Sequence, residues 1–276
     1  MKITILGSGT SHGVPMIGCN CEVCTSANPK NHRMRPSIAV EGPGGTILID
    51  TTPELRLQSI KTGLNHVDAV LITHTHADHI FGMDDLRRFN DLGGHDIPVY
   101  GSPEVLEDIQ RIYRYVFVQT QVGGGKPRLQ LRVAENIMEI CGLNISCFTV
   151  LHGKLEVQSY RFEDPTTGKS FAYVTDVSII PETVKHFLNN LDLLILDAVR
   201  YEPHPTHFGL YQALDVIANA RPAAALLTHL SHHFDHDRLC QETPPHVEPA
   251  FDGQIIDLLS VPASVPCEIT NLLSSS

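Results

Sequence analysis

Four side chains able to ligate a metal fall within six residues: His74, His76, Asp78 and His79, one residue beyond the apolar run Val70, Leu71 and Ile72. In an extended segment, residues two apart point to the same side, so His74 and His76 can close on one ion. Asp78 and His79, past a bend at Ala77, can reach a second. Imidazole together with carboxylate suits zinc, manganese or iron. A histidine-rich turn standing alone would be a weak signal, but this one has company. His152, Asp176 and His229 each follow a short apolar, β-branched run, at 145–151, 171–175 and 223–228. Buried strands that finish in functional loops have this pattern.

A second group of ligand types is Cys19, Cys21 and Cys24. Three thiolates this close can wrap one tetrahedral zinc and leave one position for a nitrogen ligand. Three free thiols, or a redox pair, are the alternatives.

The elements that must position these groups read as follows. A first strand over 3–6 runs into the glycine-rich loop 7–13, which is a plain turn or a backbone cradle for a ligand. Strands at 37–41 and 46–50 form a hairpin that ends on Asp50, a possible cap for a helix over 53–62 with Pro at its start. A helix over 84–92, a strand over 98–101 and a helix over 103–113 follow. The stretch 119–126 is the most loop-like internal segment, either a flap over the site or slack. Runs 129–133 and 137–140 look like a strand pair. From 145 a second half repeats the pattern of strand, ligand and helix. It has strands to His152, Asp176, Asp197 and His229, and helices over 181–188 and 210–220. Cys141, Cys147, Cys240 and Cys267 lack ligand-like spacing and read as core-type cysteines. The Ser-, Pro- and Ala-rich tail after 259 reads as frayed or surface-lying.

Composition narrows the partners. With 276 residues and 42% hydrophobic content, the chain can bury a sizeable core as one large domain or two small ones. The formal charge is −11, and two divalent ions would bring it to about −7, with a local field. This argues against a broad polyanion-binding face, though not against a small phosphorylated substrate. Seven cysteines are an odd number, no secretory signal is visible, and no apolar run approaches the ~20 residues of a membrane span. The expectation is a cytoplasmic protein with thiols reduced or bound to metal.

The run His-x-His-x-Asp-His at 74–79, with His152, Asp176 and His229, resembles the metallo-β-lactamase superfamily. The resemblance implies an α/β (α+β) fold, a four-layer αββα sandwich over 1–259 with 260–276 as a C-terminal tail. The cysteine insertion is similar to that of the PhnP-type cyclic phosphodiesterases. There a histidine three residues after the last active-site histidine completes the thiolate zinc site; here that position is His232. The resemblance further implies that Asp50 orients ligand histidines from behind. It also implies that His207, 22 residues before His229, assists the leaving alcohol. Asp176 is then the carboxylate shared by two ions, with His74, His76 and His152 on one, and Asp78, His79 and His229 on the other. Asp78 and His207 are the residues expected to take part in catalysis.

The function this implies is metal-dependent hydrolysis of small, cyclic phosphodiesters of ribose or nucleotides by a hydroxide bridging two Mn2+ or Zn2+ ions, with one structural Zn2+ elsewhere. The expected partner is a small phosphodiester substrate, with no stable nucleic acid complex and no membrane; a homodimer is compatible with this reading. Two rivals share the fold. An RNA 3′-end-processing nuclease would need a basic grip, for which only Lys30, His32, Arg33 and Arg35 are candidates. A non-catalytic zinc-binding accessory protein would not need all seven ligands.

Overall fold

The computed structural model describes residues 1–119 and 125–261. The expected loop at 119–126 falls largely outside the described residues. So do nearly all of the tail at 260–276 and Cys267. Strands β1 (Lys2–Gly7), β2 (Ser37–Gly42), β3 (Gly45–Ile49), β4 (Ala69–Leu71), β5 (Ile97–Gly101) and β6 (Leu129–Val133) belong to one sheet. Strands β7 (Ile137–Ile140), β8 (Leu143–His152), β9 (Leu155–Glu163), β10 (Ser170–Val174), β11 (Leu193–Asp197), β12 (Ala224–Thr228) and β13 (Val247–Pro249) form a second. The last described strand, β14 (Ile255–Asp257), returns to the first sheet beside β1. Helices α1 (Leu55–Thr62), α2 (Ala77–Ile80), α3 (Leu86–Gly93), α4 (Pro103–Ile112) and α5 (Arg114–Phe117) lie between strands of the first sheet. Helices α6 (Leu210–Ala220) and α7 (His236–Glu242) lie between strands of the second.

Three apolar clusters define the layers. Ile3, Ile38, Ile47 and Leu71 of the first sheet pack against Ile145, Tyr160, Phe171 and Ile195 of the second. The outer face of the first sheet carries Leu55, Leu86 and Ile109 from its helices. The outer face of the second carries Leu210, Ala213 and Ile217 of α6. A strand that alternates sides feeds two of these clusters at once. Val70 and Leu71 of β4 face opposite layers, as do Leu194 and Ile195 of β11. The result is the αββα sandwich.

Parallel pairing then decides where chemistry can gather. β3, β4 and β5 run parallel, and so do β10, β11 and β12. Their C-terminal ends share an edge, and the loops that leave it can converge.

The structure corrects several expectations. The runs 129–133 and 137–140 are not a pair: β6 joins β5 in the first sheet, and β7 joins β8 in the second. Residues 134–136 cross between layers, a long-range choice that local pattern does not encode. The stretch 181–188 is a 3-10 helix over Glu182–Leu188. The 84–92 helix is preceded by a 3-10 turn at Met83–Asp85. The 53–62 helix begins at Leu55, so Pro53 lies ahead of it. Strand β9 lay in a stretch assigned no element. Cys240 is exposed rather than core-type, whereas Cys147 is buried. In the 7–13 loop, a Cβ at Gly7 would collide with the Arg35 carbonyl oxygen. Close backbone approach at the end of β1 explains that glycine.

Candidate active site

Each ligand-type residue of the sandwich follows a strand end. His74 lies three residues beyond β4, and α2 carries Asp78 and His79. His152 is the last residue of β8, Asp176 sits two residues past β10, and His229 one past β12. Asp50, Asp176 and His229 all have left-handed backbones, with φ of 62°, 53° and 60°. A non-glycine residue held there costs on the order of 1–3 kcal/mol. The strain turns each side chain off its strand and into the space between the sheet ends.

The side chains converge. Asp176 is buried, with Oδ2 3.2 Å from His79 Nε2 and Oδ1 3.6 Å from His229 Nε2 and 3.9 Å from His74 Nε2. Asp78 Oδ2 lies 3.4 Å from His79 Nε2 and 3.8 Å from His229 Nε2. His74 Nε2 is 2.9 Å from His76 Nδ1, and His76 and His152 close on Asp176 with ligand atoms within 4.8 Å of one another. All seven expected residues therefore meet, with Asp176 common to both sides. His76 is the solvent-exposed member.

Groups behind the cluster hold it in place. Asp50 is fully buried and accepts from the Thr73 backbone and hydroxyl, each at 2.8 Å, and from His79 Nδ1 at 2.7 Å. That bond leaves His79 Nε2 to face Asp78 and Asp176. His152 Nδ1 donates to the Thr206 carbonyl at 2.7 Å, which similarly frees its other nitrogen. Asp197, buried at the end of β11, accepts from His207 Nδ1 at 2.8 Å and from the Val177 backbone at 3.0 Å. Its other oxygen lies 3.6 Å from His229 Nδ1. The sequence places Asp197 at a strand end but does not show what it faces. The signal was there, since it follows an apolar run just as Asp50 and Asp176 do.

His207 stacks on His229 with ring centroids 4.6 Å apart and meets His152 edge-on at 4.4 Å. It offers a ring nitrogen within 4.8 Å of ligand atoms on Asp176 and His229. Its partner Asp197 fixes the imidazole's orientation through that bond. His204 is 5.2 Å from His207, ring to ring.

The electrostatics ask for positive charge. Burial disfavours a charged His229, but Asp176, Asp78 and Asp197 outweigh it and carry the imidazole up to about 9. Burial likewise opposes charge on His79, and Asp176 and Asp50 hold it well above its ordinary value. His74 goes the other way, pushed well down by burial and by His79, and so keeps a free lone pair. His79 Nε2, both His229 nitrogens and Asp197 Oδ1 are buried without a hydrogen-bond partner. Imidazole nitrogens left without a hydrogen-bond partner beside Asp78 and Asp176 fit a divalent-cation site.

The thiolate group is equally well formed. His232 Nδ1 lies 3.2, 3.5 and 3.7 Å from the sulfurs of Cys19, Cys21 and Cys24. Zinc with Zn–S of about 2.3 Å and Zn–N of about 2.0 Å at tetrahedral angles spaces sulfur and nitrogen roughly 3.5 Å apart. The Cys24 amide donates to Cys21 Sγ at 3.4 Å, and the Met16 amide to Cys24 Sγ at 3.3 Å. The amide of Cys24, followed by burial acting against it, draws the Cys21 thiol down to about 6. Buried Arg33 ties the insertion to the active-site loop by donating to the Ser231 carbonyl at 3.1 Å, between His229 and His232.

A family model described as the beta-lactamase superfamily domain matches residues 45–230. With the αββα sandwich and the site at its strand ends, it establishes that the chain belongs to the metallo-β-lactamase superfamily. Within it the chain is PhnP-like. The crystal structure of a diphosphatase from the PhnP family superposes with a TM-score of 0.84 at 36% identity, covering 92% of this chain and 96% of that one. A protein of Porphyromonas gingivalis named octanoyltransferase is 34% identical over 92% of this chain. This chain spans about half of that relative's length, 51%. Coenzyme PQQ synthesis protein B of Methylobacterium radiotolerans is 27% identical, over 71% of this chain and 72% of its own. Family membership implies a metal-dependent hydrolase with divalent ions at this site. Among the described residues, no helix is long and apolar enough to cross a membrane.

Proposed function

We propose that this protein hydrolyses small phosphoric esters, with cyclic phosphodiesters of ribose or nucleotides as the substrate class. The observation that carries the reading is the pairing of a seven-residue ligand cluster with His207, itself held by Asp197. His74, His76 and His152 would hold one ion, Asp78, His79 and His229 the other, and Asp176 both. Two Mn2+ or Zn2+ ions there would supply a water deprotonated near neutral pH and positive charge opposite the substrate oxygens. The chain's own residues do the rest. Asp50 fixes His79, and Asp197 fixes His207. His207 gives its proton to the departing alkoxide. Cys19, Cys21, Cys24 and His232 would hold one structural Zn2+, and the reduced thiols suit the cytoplasm.

A second reading has a specific observation behind it: the 36% identical PhnP-family structure is a diphosphatase. A diphosphate presents the same phosphoryl centre with a phosphate leaving group, and the site would accept either. The RNA-processing rival loses its basic grip. Arg33 is buried against Ser231, Arg35 pairs with Glu54, and Lys30 lies over Phe251. The non-catalytic rival has no use for a complete ligand set backed by a His207–Asp197 pair.

The test is hydrolysis of bis-p-nitrophenyl phosphate, a 2′,3′-cyclic nucleotide and a linear nucleoside diphosphate with added Mn2+. Faster turnover of the cyclic ester supports the first reading, and of the diphosphate the second. Hydrolysis of p-nitrophenyl octanoate with none of the three phosphates would overturn both.

A further inference from the structure

At the other end of β4 lies a trio with no part in either centre: His66, Asp68 and His95. Asp68 immediately precedes the strand and His74 follows it. Six residues at about 3.3 Å each put roughly 20 Å between them. Asp68 Oδ2 accepts from the Thr46 amide at 2.7 Å, which aims Oδ1 outward. That oxygen is 2.9 Å from His66 Nε2 and 3.8 Å from His95 Nε2.

His95 is the informative member. Its Nδ1 is 3.1 Å from the Gly93 carbonyl, which can only accept, so Nδ1 carries the proton. In the neutral ring Nε2 is then a bare lone pair. The atom is shielded from solvent although the side chain is 36% exposed, has no hydrogen-bond partner, and faces a carboxylate oxygen. Two acceptors face to face are satisfied only when a proton or a metal ion lies between them. The ring packs over the Gly93 backbone, where a Cβ would lie 2.6 Å from His95 Cε1, and buried Asn90 fixes the His95 backbone by donating to its carbonyl at 2.9 Å. The same back-side bond to a carbonyl orients His152 in the active site.

We propose that His66, Asp68 and His95 bind one divalent cation of the zinc, nickel or copper class. Two imidazoles and one carboxylate with open positions suit such ions. A tetrahedral ion with bonds of about 2.1 Å needs nitrogen-to-oxygen spacings of roughly 3.4 Å. Both present spacings are within about half an ångström of that. The two nitrogens must also swing toward each other, and His66, with its side chain 47% exposed, has the freedom to do so. On binding, His66 moves its proton from Nε2 to Nδ1. The ion staples the loop entering β4 to the loop entering β5.

The test uses the full chain with its resident ions in place and Ni2+ as the probe in equilibrium dialysis. The parent should take up one more equivalent than His95→Gln or His66→Gln, with at least a tenfold loss of affinity at this site in each variant. Ni2+ should raise the melting temperature of the parent more than that of either variant, while turnover stays the same in all three. Cu2+ in this site should show two coupled nitrogens by electron paramagnetic resonance, and one in His66→Gln. Equal Ni2+ uptake by parent and folded variants would overturn the proposal, leaving a protonated His95 paired with Asp68.

Discussion

The two centres joined by residues 229–232 are built on opposite principles. The carboxylate–imidazole centre draws on both sheets, from Asp50 to His229, and spends backbone strain at three positions to aim its ligands. The thiolate centre takes three of its four donors from six consecutive residues and only His232 from afar. The first is assembled by the core, so its geometry is only as good as the packing of two sheets. The second is a local wrap whose geometry a metal can impose. The difference predicts which property each centre controls.

The largest separation should come from Asp176→Ala. Losing the carboxylate shared by both sides should cut turnover by at least about 10³-fold, or about 4 kcal/mol of barrier. Metal analysis should show the paired ions reduced and the thiolate zinc kept. If the zinc goes too, the centres are one unit and the contrast fails.

His207→Ala sharpens the contrast inside the first centre. Metal content should be unchanged, while the rate on an ester with a poor leaving group falls about 10²-fold or more. A p-nitrophenolate ester, which needs no acid, should be far less affected. Asp197→Ala should follow the same pattern with a loss of roughly 10–100-fold, because it leaves His207 without its orienting acceptor. Equal losses on both leaving groups would remove the acid role.

Cys21→Ser addresses the other side. It should lose one zinc and about 2 kcal/mol of stability, a fall of roughly 5 °C in melting temperature. The catalytic rate should change by less than about threefold. A large drop in rate with metals intact would show that the insertion positions the reacting groups.

The smallest effect concerns His236, the first residue of α7, which follows the thiolate ligand His232 in the chain. His236 is buried on Phe251, and burial, then Lys30 and Arg33, push it down to about 4; Asp237 and Asp235 act against this. The folded state thus binds this proton less well than the unfolded chain, whose imidazole titrates near 6.5. Its contribution is complete above about pH 6.5 and is lost as pH falls toward 4, on the order of 2 kcal/mol. His236→Phe should flatten the stability profile between those values in chemical denaturation. An unchanged slope would assign the acid sensitivity elsewhere.

Much of this molecule was legible in the chain because its signals are local. The ligands at 74–79, the cysteine run and the helix at 210–220 each show in spacing or periodicity within a dozen residues. His232 and His207 were reached by likeness to a family rather than by physics. Asp197 was visible as a strand-ending carboxylate, but nothing in its neighbourhood says that it faces His207 and His229. Likewise, His66, Asp68 and His95 look like ordinary surface residues until two crossover loops bring them together.

The sequence by itself determined the ligand types, the strands that end on them and the buried faces, because side-chain chemistry and two-residue alternation are properties of neighbours. Tertiary structure alone decided that 129–133 and 137–140 part into different sheets, that Asp176 stands between His74 and His229, and which nitrogen each imidazole turns inward. Those outcomes depend on burying two sheets against each other, a gain that no short segment can register.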